Sequence, residues 1–283
     1  MTYKSILTIL TNATDAMLSI SAAAKLAQSQ DAHLDVLVLG VDRSQVGYSY
    51  IGTGAVLMQA ALDRAETEAK ETEAAAKTAI SAQFPSLRWS SESLVVQVGA
   101  LNEVVSSRAR FADLVVLPRP YGTGRGSDSE AALEAALFEG RAPVLIVPDA
   151  GLAPNGIDAK RVVLAWDQSA EAMLAARHAL PILKAAEIVD ITIIDPPSHG
   201  ANRSDPGGYL AQYLVRHGVH AEVSVLARST PKVADILLQH MRDKGADLLV
   251  MGAYGHSRLR EAILGGATRN MLEQAETPVL MAH

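Results

Sequence analysis

The chain alternates short apolar runs with longer segments whose apolar residues recur at helical spacing. Short, nearly continuous apolar runs are typical of strands buried on both faces, and a period of 3.6 residues is typical of helices. In the first half the predicted strands are residues 5–10, 33–39, 87–98, 114–117 and 144–147, and the predicted helices are 14–28, 55–82, 101–111 and 130–138. This alternation predicts an α/β fold with a parallel sheet between layers of helices.

The second half repeats the pattern of the first. The runs that begin at Lys160, Ala246 and Pro278 match, in the same order, those that begin at Lys4, Ala112 and Pro143. Chance similarity would not keep three matches in sequence order, so we infer a duplicated α/β unit, with the extra residues of the first half in the segment 40–82. We predict domain 1 at residues 1–148, a linker with proline and glycine at 149–159, and domain 2 at 160–283.

Length and composition limit the number of domains, the partners and the location that we expect for this protein. The 283 residues are enough for two domains, and aromatic residues are only 4% of the chain, so we expect helices to pack through small side chains. The formal net charge of −6 argues against a nucleic-acid or membrane-surface role, because no basic excess is available to neutralise phosphates. The absence of cysteine excludes disulfides and fits a cytoplasmic location. No apolar stretch is long enough for a signal peptide or a spanning helix, so we expect a soluble protein.

The segment 246–281 holds the most specific motif of the chain. A predicted buried strand is followed by Gly252, Gly255 and Gly265 in the spacing Gly-x2-Gly-x9-Gly, and Gly266 leads into a helix predicted at 267–275. Glycine permits tight turns and close backbone approach. A glycine-bracketed loop at a helix N-terminus offers unpaired N–H groups and the positive end of the helix dipole. Such a loop suits a phosphate group.

This motif, placed between a buried strand and a helix, resembles the nucleotide loop of the universal stress protein family. Because the halves are duplicated, the whole chain is similar to a tandem of two such domains. The resemblance implies two Rossmann-like, adenine nucleotide alpha hydrolase-like domains, each with a five-stranded parallel sheet between helices and with nucleotide at the carboxyl ends of the strands. ATP-binding members carry Ser or Thr after the third glycine, where this chain has Gly266, so a nucleotide-binding and a nucleotide-free protein both stay open.

The resemblance implies a nucleotide site in domain 2. Asp167, after the first strand of this domain, would face adenine or ribose, and the alternative is that it only caps the following helix. Ile193 and Ile194, at the end of the next strand, would form the floor of an adenine pocket. The alternative explanation for the loop glycines is that they are needed only for the geometry of the turns. The predicted nucleotide-binding residues are Ala165, Asp167, Ile193, Met251, Gly252, Gly255, Gly265, Gly266, Ala267 and Thr268.

Domain 1 departs from the motif. Thr11 or Asn12 stands at the position of Asp167, and Pro118 and Pro120 remove backbone donors where a phosphate needs them. The glycine-rich segment 122–126 lacks the Lys-Ser/Thr of a P-loop and opens onto acidic residues, so we interpret it as a loop without a ligand. We therefore predict that domain 1 is degenerate and empty of nucleotide.

Three functions are compatible with these features. The first is a stress-response module that binds ATP or AMP, with magnesium, in domain 2 and is regulatory, with no catalytic residues and at most very weak ATP hydrolysis. The second is a nucleotide-free protein that acts through partner binding. The third is a true α/β enzyme, such as a relative of adenylyl transferases or an electron-transfer flavoprotein subunit. An enzyme of that kind requires an acid–base or metal set at the strand ends, and the sequence shows none.

The duplication also bears on assembly. Duplicated halves joined by a short linker tend to pair as a dimer would, so we expect an intramolecular pseudo-dimer in which the strands 144–147 and 279–281 meet. A homodimer of the whole chain is a further expectation. Neither nucleic acid nor a membrane is expected as a partner.

Overall fold

The computed structural model describes residues 2–44, 54–122, 125–152, 156–157, 159–196, 205–254 and 266–283. These residues form two compact units, Tyr3–Ala142 and Pro143–His283. The boundary between the units lies before the one expected from the sequence, and the strand 144–147 pairs with the strand 279–282 of its own unit. The boundaries 1–148, 149–159 and 160–283 describe the duplication and stay a prediction.

The described residues of the unit Tyr3–Ala142 form four parallel strands. They are β1 (Ser5–Leu10), β2 (His33–Asp42), β3 (Arg88–Gln97) and β4 (Leu114–Pro118), in the order β3-β2-β1-β4. Its helices are α1 (Ala16–Gln30), α2 (Gly54–Gln83), α3 (Leu101–Ala109) and α4 (Ser127–Glu134), the last followed by a π-turn at Ala135–Glu139. The sequence pattern predicted all four strands and placed these helices within a few residues of their observed ends.

From the sequence we expected the second strand to end before Gly40. The structure differs, because β2 continues through Gly40 to Asp42. A Cβ atom on Gly40 would lie 2.2 Å from the carbonyl oxygen of Ala65 in α2. The glycine is therefore required by the close approach of α2 to β2, and it does not mark a turn.

Six strands are formed by the part of the unit Pro143–His283 that the structure describes. They are β5 (Val144–Val147), β6 (Arg161–Ala165), β7 (Ile188–Ile194), β8 (Ala221–Leu226), β9 (Leu248–Gly252) and β10 (Val279–Ala282), in the order β5-β10-β9-β6-β7-β8. The described helices are α5 (Ala170–Leu183), α6 (Gly208–Arg216), α7 (Val233–Lys244) and α8 (Ala267–Gln274). All pairs in this order are parallel except β5 with β10.

The two halves of the sequence share one strand order. The order β3-β2-β1-β4 in the first half corresponds to β8-β7-β6-β9 in the second, which confirms the duplication and the predicted α/β class with mostly parallel sheets flanked by helices. The antiparallel pairing of β5 with β10 aligns Leu145 with Leu280 and confirms that the fifth strands of the halves meet.

Small side chains line the helix–sheet contacts, as the low aromatic content predicted. The alanines of α1 and α5 that are essentially inaccessible to solvent are Ala22, Ala23, Ala24, Ala27, Ala172, Ala175, Ala176 and Ala179. Alanine lets a helix approach a sheet closely, so that the strand ends, and the loops after them, lie near the first turns of the helices.

Candidate functional site

An open cavity of about 380 Å³ lies at the carboxyl ends of the strands in the unit Pro143–His283. Its walls come from the ends of β6, β7 and β9, the connection after β8, one side of α7 and the first turn of α8. The lining residues are Ala165, Trp166, Asp167, Thr192, Ile194, Arg228, Val233, Leu237, Met251, Gly252, Tyr254, Ala267 and Thr268. Open α/β sheets bind ligands at this edge, which makes the cavity the candidate site.

Asp167 lies at the exit of β6 and is exposed to the cavity. Its Oδ1 accepts a hydrogen bond of 2.9 Å from the backbone N–H of Ser169. The cap of α5 is Ser169 itself, whose hydroxyl accepts the N–H of Ala172 at 3.1 Å. Asp167 therefore supports the turn before the helix without being the capping residue, and its carboxylate still faces the cavity.

Trp166 is a lining residue that the sequence analysis did not identify. The indole Nε1 donates a hydrogen bond of 3.2 Å to the carbonyl oxygen of Pro206, and the half-buried ring forms part of the cavity wall. Its position in the sequence could have identified it, because it lies between Ala165 and Asp167, which were both predicted to bind nucleotide. A tryptophan held in this way is also a fluorescent reporter for occupancy of the cavity.

The end of β7 presents Ile194 and Thr192 to the cavity, whereas the structure does not bring Ile193 into it. Neighbouring strand residues point to opposite faces, so Ile193 packs into the core near Gly207 and is 3% exposed. Of the two isoleucines considered for the pocket floor, Ile194 is the one that lines the cavity.

The end of β9 contributes Met251 and Gly252, both as expected from the sequence. A Cβ atom on Gly252 would lie 2.6 Å from the backbone nitrogen of Ala172 and 2.8 Å from the carbonyl carbon of Glu171. The first turn of α5 therefore requires glycine at this position whether or not a ligand is bound. Packing alone explains Gly252.

The start of α8 forms the opposite side of the cavity. Gly266 is the N-cap, with φ −57° and ψ 161°, and the helical bonding begins with the N–H of Asn270, which donates to the carbonyl oxygen of Gly266 at 3.1 Å. The N–H groups of a first helical turn precede that ladder and are suited to anions. Thr268 is 2% exposed, and its hydroxyl accepts the N–H of Tyr254 at 3.1 Å, which ties α8 to the exit of β9.

Part of the predicted loop lies outside the described residues. This applies to Gly255 and Gly265 and to the charged side chains His256, Arg258 and Arg260 between them. Of the predicted set, the structure brings together Ala165, Asp167, Met251, Gly252, Ala267 and Thr268, with Gly266 directly before Ala267.

In the first half, an ion pair lies near the corresponding strand exit. The guanidinium of Arg125 contacts both carboxylate oxygens of Asp15, at 2.8 Å and 2.9 Å, and the Arg125 side chain is only 5% exposed. Asn12 accepts the N–H of Asp15 at 3.1 Å, and the space between the ends of β1 and β4 is reduced to about 10 Å³. From the sequence we interpreted the segment 122–126 as a loop without a ligand, and we did not predict the pairing of Arg125 with Asp15.

A larger cavity of about 310 Å³ opens in the same unit between the end of β2 and α2. Its charged lining residues are Arg43, Glu68 and Glu71, and Arg43 forms an ion pair with Asp128. Two carboxylates in the wall disfavour a polyphosphate. That domain 1 carries no nucleotide stays a prediction.

A buried carboxylate lies below the floor of the candidate site. Asp190 on β7 accepts hydrogen bonds from Ser224, His240 and Lys244 at 2.9, 3.1 and 3.0 Å, and from Thr192, which lines the cavity, at 3.2 Å. Burial by itself raises the pKa of Asp190, but hydrogen bonds from Lys244, Ser224 and His240 outweigh it and hold that pKa below the usual value. Asp190 therefore stays ionised in the folded unit.

We expect Asp190→Asn to lower the free energy of unfolding by about 1 to 2 kcal/mol at pH 7, because hydrogen bonds to a buried charge are lost. The folded pKa lies below the unfolded one of about 3.9, so the contribution of the charge is complete above that pH and is lost as pH falls through the folded pKa. Urea unfolding at pH 7 and pH 3 measures this, and the difference between parent and variant should shrink in acid.

The matched control for this substitution is Asp35→Asn. Asp35 is paired with Ser90 and His33 in the first half and is about half exposed, so its removal should change stability by less than about 0.5 kcal/mol. An equal effect of Asp190→Asn at both pH values would show that Asp190 is not the ionised centre of the cluster.

Within the described residues, no group of three or more His, Cys, Asp or Glu side chains is arranged to hold a metal ion. Among the described helices, none is both long and apolar enough to cross a lipid bilayer.

Comparison with known proteins agrees with the architecture and with the motif. The model of the universal stress protein family matches residues 159–283. The universal stress protein Slr1230 of Synechocystis is 25% identical over 244 residues, which cover 81% of this chain and 79% of that protein.

Two solved structures share the fold over nearly the whole chain. A universal stress protein from Archaeoglobus fulgidus has a TM-score of 0.64 at 15% identity and covers 98% of this chain and 95% of that chain. A putative universal stress protein from Pseudomonas aeruginosa has a TM-score of 0.60 at 15% identity, with coverages of 99% and 93%. Residues 159–283 therefore match the universal stress protein family, and the whole chain is similar in sequence and fold to universal stress proteins.

Proposed function

We propose that the chain is a regulatory universal stress protein that binds an adenine nucleotide, ATP or AMP, in the second half only. The observation that carries this proposal is the shape of the 380 Å³ cavity, which has the Asp167 carboxylate at one wall and the first turn of α8 at another. A carboxylate accepts hydrogen bonds from sugar hydroxyls or a base amino group, and a helix N-terminus binds phosphate.

The described residues offer separate surfaces for the base and for the phosphates of such a ligand. Ile194, Val233 and Leu237 offer an apolar surface for a base, and Trp166 lines the same cavity. Ala267 at the start of α8, preceded by Gly266, offers backbone N–H groups for phosphate. Magnesium would be held through the phosphates, which is common for this ion, because it tends to keep waters and few protein ligands.

We propose that the site is regulatory, with binding and not turnover as its output. Support comes from the cavity lining, in which Asp167 is the one carboxylate among the described residues, so a pair of groups for acid–base chemistry is lacking there. Hydrolysis of ATP above a control without protein would contradict this part. The second candidate function is partner binding without nucleotide. The response of the melting temperature to ATP, ADP and AMP distinguishes it from nucleotide binding. The homodimer, the pseudo-dimer and the cytoplasmic location stay predictions.

Asp167→Ala is expected to weaken ATP binding about tenfold or more, because a charged hydrogen bond to the ligand is lost. Saturating ATP at about 100 times its Kd stabilises a binding protein by about 2.7 kcal/mol, and a tenfold loss of affinity removes about 1.4 kcal/mol of that gain. Thermal unfolding with and without ATP and magnesium, on parent and variant, measures the difference.

The control is Asn12→Ala, at the corresponding strand exit of the first half. It should leave the stabilisation by ATP unchanged. A parent protein whose melting temperature does not respond to ATP, ADP or AMP would favour the nucleotide-free, partner-binding function. An equal loss of ligand stabilisation in both variants would contradict a site confined to the second half.

A further inference from the structure

The geometry points to Arg228 as the residue that holds the base end of the ligand in the second half. This inference rests on the proposed nucleotide site and adds a specificity-determining residue to it. Arg228 was not part of the predicted set, and it lies in the connection between β8 and α7, two residues after the end of β8.

The strand order places Arg228 at the far side of the cavity from the phosphate end. Along the carboxyl edge of the sheet the strands follow as β9-β6-β7-β8. Gly252 ends β9, whose exit is tied to α8 through Tyr254 and Thr268, and Asp167 follows β6. Three strand spacings of about 4.8 Å separate β9 from β8, or roughly 14 Å. A nucleotide whose phosphates lie at α8 would therefore extend its base toward β8.

The surroundings of Arg228 suit a base and not a second phosphate. Its nearest lining neighbours along the chain are Val233 and Leu237 on α7, both apolar, and Ile194 ends the adjacent strand β7. Among the described lining residues only Asp167 and Arg228 are charged. The site thus has a single described cation beside its apolar wall.

Arg228 is also held in place before a ligand arrives. Its Nη2 donates a hydrogen bond of 2.8 Å to the carbonyl oxygen of Pro231, at the turn that leads into α7. This bond uses one of five guanidinium donors and leaves the planar face and the other N–H groups for contact. A guanidinium stacks on aromatic rings and donates to ring nitrogens, and a nucleobase offers both.

The test measures binding of ATP and of adenosine, which lacks phosphate, to Arg228→Met by isothermal titration. We expect both affinities to fall by the same factor, about fivefold, because a contact to the base is common to both ligands. The matched control is Arg242→Met on the outer side of α7, where the guanidinium contacts Gln239 and does not line the cavity. Both arginines are exposed, so the variants should fold as the parent does.

The outcomes separate this inference from the proposal on which it rests. An unchanged ATP affinity, or a loss confined to ATP, would overturn it, since the second result would place Arg228 at the phosphates. Binding of ATP without measurable binding of adenosine by the parent would also overturn it, because the base end would then add no affinity. If the parent binds neither ligand, the proposed nucleotide site itself fails, and this inference fails with it.

Discussion

Gly40→Ala is expected to lower the free energy of unfolding of the unit Tyr3–Ala142 by about 3 kcal/mol or more. The added Cβ atom would lie 2.2 Å from the carbonyl oxygen and 2.9 Å from the carbonyl carbon of Ala65. These are backbone atoms of α2 and cannot turn aside as a long side chain can. Relief requires α2 to move away from β2, which opens the contacts that bury Ala65 and Ala69.

Urea unfolding followed by fluorescence measures this effect in the unit concerned. The chain has two tryptophans, Trp89 on β3 and Trp166 at the candidate site, so a Trp166→Phe background leaves Trp89 as the reporter of the first unit. The control is Gly99→Ala, where an added Cβ atom meets nothing within 4 Å and the change should stay within about 0.5 kcal/mol. A Gly40→Ala protein that unfolds at the same urea concentration as the parent would show that α2 does not pack as described.

Gly266→Ser is expected to tighten ATP binding by about ten- to a hundredfold. Hydrogen bonds to charged acceptors contribute about 1.5 to 3 kcal/mol, and a serine hydroxyl at the N-cap of α8 would add one such bond to a phosphate. The backbone at Gly266 has φ −57° and ψ 161°, an extended conformation that any residue adopts, so serine introduces no strain. The family's ATP-binding members, which carry Ser or Thr here, motivate the substitution.

Titration of ATP into parent and variant gives the ratio of affinities, and Gly126→Ser is the control. Gly126 is the N-cap of α4 in the first half, its added Cβ atom meets nothing within 4 Å, and it is distant in sequence from the proposed site. It should leave the affinity unchanged. A folded Gly266→Ser protein that binds ATP no better than the parent would indicate that the start of α8 does not contact phosphate.

The periodicity of the sequence was enough to predict the strands of the first half, the long helix α2 and the duplication. These features follow from local spacing of apolar residues, which the two halves repeat. The pattern could not show that Gly40 continues β2, because a glycine in a strand is explained only by the helix that packs on it. Nor could it assign the strand 144–147 to the second compact unit, since this depends on long-range pairing with β10.

The candidate site was predictable where its residues directly follow strands. Asp167, Met251 and Gly252 line the cavity because the carboxyl ends of parallel strands share one edge. The sequence could not show which of the two isoleucines at the end of β7 faces the cavity, because this depends on the register of the strand in the sheet. Ile194 lines the cavity and Ile193 does not. Arg228 was missed because its connection has no motif, and only the fold brings it into the same cavity as Asp167.

The central claim is that one adenine nucleotide binds each chain, in the second half. Isothermal titration of ATP with magnesium into the full chain tests it most directly, because the measurement gives stoichiometry as well as affinity. We predict one site per chain, at the cavity lined by Asp167 and the first turn of α8. Two equivalent sites per chain, or no binding heat at millimolar ATP, would contradict it.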